Sequence, residues 1–261
     1  MDAIVQYILD GSKIDITYIK LKNATRDSFN LSVEARVTGT GPVPAVLSPF
    51  EADLVYERGV FGKLRIPEVH TSPSGCEVNI YDQLIQILDY EAWMAFVKAI
   101  VTQDRLVLAL DNGHCTVTAM RVLKGDCVYR KDVVMKGMKG PAATIKHTTA
   151  EKVYMNLFNP SPVDIDHSMS IFEIQTADGE VIAELKGDMR IARNNGEVVT
   201  NITRKADVLP TSAARYKLVG RGTDGQAWTD ASIKYIEVPL TLTDQFVSFY
   251  NQSDRSENGN E

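Results

Sequence analysis

Residues 41–64, GPVPAVLSPFEADLVYERGVFGKL, recur later in the chain as SPVDIDHSMSIFEIQTADGEVIAEL, residues 161–185. Pro42 matches Pro162, and the same offset carries Val43 to Val163, Ser48 to Ser168, Leu54 to Ile174 and Gly59 to Gly179. One inserted residue then brings Leu64 onto Leu185. In both copies a proline turn enters an alternating run, a glycine turn follows, and a second apolar run completes a β-hairpin. The repeat therefore predicts two related β-rich modules, residues 1–125 and 126–250, followed by a disordered tail, residues 251–261.

The chain of 261 residues divides into two halves of ordinary domain size, each long enough to bury its own core. With 44% hydrophobic and 24% charged residues its composition is that of a globular protein. A net charge of −6 argues against general nucleic-acid binding, which needs a basic face to displace counterions from phosphate. No apolar run reaches the ~18 residues of a membrane helix, and no signal-like core follows the N-terminus, so a soluble, cytoplasmic protein is expected. Cys76, Cys115 and Cys127 share no metal-ligand spacing and are expected as reduced thiols. Sequons begin at Asn23, Asn30, Asn201 and Asn251, and matter only on a secretory route.

Away from the repeat, Asp2 to Leu9 has the spacing of a short helix ended by Gly11. Ile14 to Leu21 reads as a strand, and Phe29, Leu31, Val33, Ala35 and Val37 read as the inward face of the next. Glu77 to Leu88 is strand-like, with alternation weakened at Asp82-Gln83. Asp89 is the expected N-cap of a helix whose apolar stripe is Trp93, Phe96, Val97, Ile100 and Val101. Asn112-Gly113 reads as a type I′ hairpin turn that sets Asp111 opposite His114 and Leu110 opposite Cys115. Cys127 to Val134 and Lys146 to Phe158 are strand-like. Met135 to Pro141 reads as a loop, and Pro210 to Val219 as a helix equivalent to the first module's.

The segment KVYMNLFNPSPVDIDHSMSIFEIQTADGEVIAEL, with its Asn159-Pro160-Ser161-Pro162 turn, resembles the late-embryogenesis-abundant type 2 domain, the water-stress and hypersensitive-response domain. ILDGSKIDITYIKLKNATRDSFNLSVEARVTGTGP and EAWMAFVKAIVTQDRLVLALDNGHCTVTAM resemble a fungal branch of that fold whose function is unknown and whose domains often occur in tandem behind a membrane helix. The resemblance implies two tandem immunoglobulin- or fibronectin-like β-sandwich modules, each with one short helix. It carries no catalytic residues, and its plant relatives suggest stress protection or lipid binding.

Several residue groups admit a chemical role. Asp111 and His114 have the composition of an acid/base pair, and Cys115 beside them that of an activated nucleophile; hairpin building and an inert buried thiol are the structural readings. Asp164, Asp166 and His167 suit a divalent metal, although in a strand only residues i and i+2 share a face, the remaining ligands are unidentified and a solvated acidic turn is preferred, so no metal or cofactor is assigned. Arg130, Lys131, Lys136, Lys139 and Lys146 make a locally basic stretch. Tyr90, Trp93 and Phe96 are the candidate wall of an apolar pocket, or simply core. The functional expectation is a binding or scaffolding protein that holds a hydrophobic small molecule or a protein partner at the module junction. A cofactor-free cyclase or isomerase of fungal secondary metabolism is the alternative, and a stress protectant the third. An enzyme should enclose a cavity with a shielded polar side chain, a scaffold should expose an apolar patch or free sheet edge, and a protectant needs neither.

Overall fold

The computed structural model describes residues 6, 11–120, 122–205, 209–225 and 227–257, with side chains as far as Gln252. The expected helix from Asp2 to Leu9 lies outside the described residues, except for Gln6, which is helical. The chain is mostly β, with 62% strand and 13% helix. It forms two compact units, residues 1–100 with 104–137 and residues 101–103 with 138–261.

The first unit has two sheets. In one, β1 (Lys13–Lys22), β2 (Ser28–Thr38) and β7 (Cys76–Gln86) lie antiparallel in the order β1-β2-β7. Phe29, Leu31, Val33 and Ala35 of β2 are buried as the alternation predicts. Asp82 explains the weak alternation of β7. Its φ of 54° makes a bulge, its amide donates to Ser32 Oγ at 2.9 Å, and the inward set shifts from Ile80 to Ile85.

The other sheet is built on β8 (Arg105–Ala119). The short strand β3 (Ala45–Leu47) and then β4 (Phe50–Tyr56) pair along one edge of β8, and β9 (Leu123–Lys136) pairs along the other. Strand β5 (Gly59–Ile66) closes the repeated hairpin on β4, and β6 (Val69–Thr71) lies beside β3. Helix α1 (Tyr90–Thr102) begins where expected: the Ala92 amide donates to Asp89 Oδ1 at 3.0 Å, satisfying one orphan donor of the first turn. Trp93 stacks on Phe29 with ring centroids 4.2 Å apart.

The expected Asn112-Gly113 hairpin is not formed. A type I′ turn needs two residues with positive φ, and only Asn112 has one, 55°. A single such residue makes a bulge, so the chain continues straight through and β8 pairs instead with β9. Leu110 and Cys115, expected to face each other, lie on the same strand, with Leu110 opposite Lys131 and Cys115 opposite Cys127. Gly113 answers to packing, because a Cβ there would stand 2.8 Å from Cε2 of Phe50. Residues 125 and 126, the expected module boundary, lie within β9. The first unit therefore runs to residue 137.

In the second unit seven strands form a closed hydrogen-bonded ring. They are β10 (Ala142–Thr148), β11 (Lys152–Asn159), β12 (Val163–Thr176), β13 (Val181–Ile191), β14 (Asn194–Arg204), β15 (Tyr216–Thr223) and β16 (Glu237–Thr241). The order is β13-β14-β11-β10-β16-β15-β12, and β12 pairs again with β13; only β10 and β16 are parallel. Closure leaves none of these strands with an open edge along its whole length. Asn159 locks the turn into β12. Its Nδ2 donates to the Val163 carbonyl at 2.7 Å, and its Oδ1 accepts from the Ser161 amide at 2.9 Å.

Two further expectations give way here. Pro210 to Val219 is not helical: the Tyr216 hydroxyl and the Thr211 backbone exchange hydrogen bonds of 2.8 and 3.0 Å that fix a turn, and from Tyr216 the chain alternates as β15. The described helices of this unit are α2 (Trp228–Ile233) and α3 (Asp244–Glu257), so one helix per module does not hold. The tail expected to be disordered from residue 251 is helical as far as Glu257. Thr243 caps α3 by accepting from the Phe246 amide at 3.2 Å, and buried Phe246 and Tyr250 anchor it, so helix propagates past the polar boundary.

Candidate functional site

The inward faces of the first unit's two sheets do not fill the space between them. A cavity of about 170 Å³ is left, and every residue lining it belongs to this unit. Leu31, Val33 and Ala35 of β2 form part of one wall, and Leu108, Leu110 and Val117 of β8 part of the opposite one. Trp93 reaches the cavity from α1. The strand period decides this composition, since every second residue of each strand points inward and those positions are aliphatic or aromatic.

Polar groups on the lining are few and mostly engaged by backbone. Thr40 Oγ1 donates to the Ser72 carbonyl at 2.6 Å, and Thr71 Oγ1 to the Ala45 carbonyl at 3.1 Å. Ser12, Cys76 and Tyr129 complete the polar set. Burial pushes the Tyr129 phenol well above its ordinary pKa, with the Cys115 and Cys76 thiols adding to the effect, so the group stays a neutral hydrogen-bond donor across the physiological range. Burial likewise raises the Cys76 thiol. A cavity of this kind favours apolar contents. An engineered void of similar size, about 150 Å³, stays dry and accepts benzene or xenon.

The candidate residues are distributed unevenly around this void. Trp93 lines it. Phe96 is buried beside it, 5.0 Å from Phe61 and 5.5 Å from Tyr56 by ring centroids, but does not reach the lining. Tyr90 is 46% exposed at the start of α1 and takes no part. Asp111 and His114 do not pair. Arg130 Nε donates to Asp111 Oδ1 at 2.7 Å, and His114 Nε2 lies 3.1 Å from Asn112 Oδ1. The Arg130 hydrogen bond, with one from the Asn112 amide, holds the exposed Asp111 carboxyl below its usual pKa. Cys115 is buried and its thiol is pushed up to about 12, first by burial and then by its hydrogen bond with Cys127, which makes it a poor nucleophile.

The acidic trio of the second unit also disperses. Asp164 takes an ion pair from Arg190 at 2.7 Å, Asp166 accepts from the Ser168 amide at 3.0 Å, and His167 turns inward to Ser232 Oγ at 3.0 Å. Among the described residues no three metal-ligating side chains converge. Burial depresses the His167 pKa to about 3, partly opposed by the Ile165 backbone, so the ring is neutral in the fold. Sequence reasoning passed over the β2 and β8 aliphatics and Tyr129 because alternating Val, Leu and Ala look the same whether they fill a core or line a void.

Residues 59–174 match the profile of a family described as a protein of unknown function, DUF3712. No curated protein matches the chain. Among solved structures the chain is similar to the BSP domain of a biofilm-associated protein, with 12% identity over 93% of this chain and 31% of that one and a TM-score of 0.20. It is also similar to red sea bream transglutaminase, with 12% identity over 89% of this chain and 31% of that one and a TM-score of 0.24. A third is the calcium-binding domain CBD12 of CALX1.1, at 8% identity over 86% and 99% of the two chains and a TM-score of 0.20. The chain thus spans about a third of the first two. Likenesses at these TM-scores carry no assignment of fold or function. Among the described residues no helix is long and apolar enough to cross a membrane.

Proposed function

We propose that this protein is a binding protein and that its ligand, a hydrophobic small molecule, sits between the two sheets of the first unit. The observation that carries this reading is the cavity of about 170 Å³ with its almost wholly aliphatic and aromatic lining. Leaving such a void empty costs stability, since deleted core contacts are not repaid. An apolar occupant recovers those contacts without burying unpaired polar groups. The reading moves the ligand from the module junction, where the sequence placed it, into one unit. It goes with the view that both units are related immunoglobulin-like sandwich modules of the late-embryogenesis-abundant type, supported by the shared repeat and by the matching order from β1 to β7 and from β10 to β14.

A second reading rests on Tyr129. A neutral phenol on the wall of an apolar cavity can donate a hydrogen bond to a polar group of the ligand. In a cofactor-free cyclase or isomerase it would polarise a carbonyl while the walls fold a flexible substrate into a reactive shape.

Native mass spectrometry of protein purified gently from its own host tests the first reading, with Trp93 fluorescence followed in a Trp228→Phe background during titration with a naphthalene-based apolar probe. A co-purified small molecule, or saturable quenching that Ala35→Leu abolishes by filling the void, supports it. A bare chain whose probe response Ala35→Leu leaves unchanged overturns it. Tyr129→Phe separates the two readings: a binder keeps its affinity, and an enzyme keeps affinity while losing turnover.

A further inference from the structure

We infer that Cys115 and Cys127 are a cross-strand disulfide site that staples β8 to β9. This is independent of what the cavity holds. The two residues are directly opposite in the antiparallel register, flanked by the pairs Gly113↔Tyr129 and Val117↔Gly125. Opposite residues in such a ladder have Cα atoms about 4.5 or 5.5 Å apart, and both spacings lie inside the range that a disulfide spans. Both side chains are buried on the same face of the sheet, and their sulfurs are 3.1 Å apart. The bond therefore needs a small approach of two sulfurs and no strand movement. Cys76, on β7 in the other sheet, lies opposite Val37 in its ladder with β2 and has no such partner position.

The oxidant is a low-molecular-weight disulfide such as oxidised glutathione. One cysteine thiolate attacks it, forms a mixed disulfide and releases one glutathione thiol. The second thiolate then displaces the other glutathione, so two protein thiols give up two protons and two electrons and two glutathione thiols carry them away. Burial of both thiols makes this slow in the folded chain and places the reaction during folding, before the sheet closes over the pair.

The test equilibrates the full chain in oxidised and reduced glutathione, once from the refolding side in native buffer and once in denaturant. Free thiols are then alkylated, and intact mass and peptides are read. The expected product has lost two hydrogen atoms, carries one bridge between Cys115 and Cys127, and is alkylated at Cys76. The effective concentration of the pair should be on the order of 100-fold higher in native buffer than in denaturant, because a bond the fold accommodates is stabilised by the fold. The same ratio in Cys76→Ser confirms that the selection is geometric. A ratio near or below one, a bridge to Cys76, or three alkylated thiols in native buffer would overturn the inference.

Discussion

The two units start from the same repeated hairpin and end with different interiors. The first keeps a cavity of about 170 Å³ behind Trp93, while in the second Ile165, Ile174, Leu185, Met189 and Leu218 are fully buried. The second unit also brings Trp228 from α2 and Phe246 from α3 to full burial. An alternating pattern decides which face of a strand points inward. How completely that face is covered depends on what the rest of the fold sets against it, and in the second unit α2 and α3 bring Trp228 and Phe246 into that cover.

The largest expected effect tests that difference directly. Phe172→Ala in the second unit should cost about 3–5 kcal/mol, since its packed surroundings cannot collapse onto the gap, whereas Leu108→Ala beside the existing void should cost nearer 2 kcal/mol. Denaturant unfolding followed by amide exchange in each unit measures the two separately. Equal losses would mean that the first unit is as tightly packed as the second.

Acid should strike the second unit harder. The folded His167 pKa is depressed to about 3 from an ordinary 6.5, so the unfolded chain binds the extra proton first. The stability this neutral ring contributes is complete above pH 6.5 and is lost as pH falls toward 3. Within that window each pH unit costs about 1.4 kcal/mol. His167→Gln should flatten this slope for the second unit and leave the first unit's unchanged. An unaltered slope would show that another group governs acid unfolding.

Adding volume gives the converse comparison. Ala183→Leu, at a wholly buried site of the second unit, should destabilise by about 1–3 kcal/mol. Ala35→Leu, which points into the cavity, should be close to neutral, and thermal unfolding of the two variants measures both. A large loss for Ala35→Leu would mean that the void is not free to be filled.

The smallest effects divide the repeat's matched glycines. A Cβ on Gly59 would stand 2.4 Å from Ala92 Cβ, so Gly59→Ala should cost about 1–2 kcal/mol through the strand–helix contact and be partly rescued by Ala92→Gly. Gly179 has open space around it but a φ of +90°, so Gly179→Ala should cost about 1 kcal/mol through backbone strain, which no neighbouring substitution relieves. Failure of the rescue would show that Gly59, too, is needed for its backbone.

Those glycines also mark where a reading of the chain reaches its end. The alignment rightly makes both hairpins, but in the first copy the positive φ falls to Glu57, at 53°, and Gly59 serves packing. Asn112-Gly113 shows the same limit. Its dipeptide signal for a turn is real, yet β4 and β9 offer β8 a partner along each edge, and a bulge that keeps both is preferred to a turn that gives them up. The helix stripe includes Trp93, which lines the cavity, while Asp111 and His114 were neighbours in sequence whose partners, Arg130 and Asn112, were set by strand register and local turn geometry.

What the sequence determined by itself is local: the strand periods, the cap at Asp89, the buried stripe of α1 and the repeated hairpin, because period, capping and turn chemistry are properties of a few consecutive residues. Tertiary structure alone decided that β8 runs on into a ladder with β9, that seven strands close into a ring, that Cys115 faces Cys127, and that a void opens behind Trp93. Each of these depends on residues far apart in the chain competing for the same edge or the same volume, and a pattern of inward and outward residues does not record who wins.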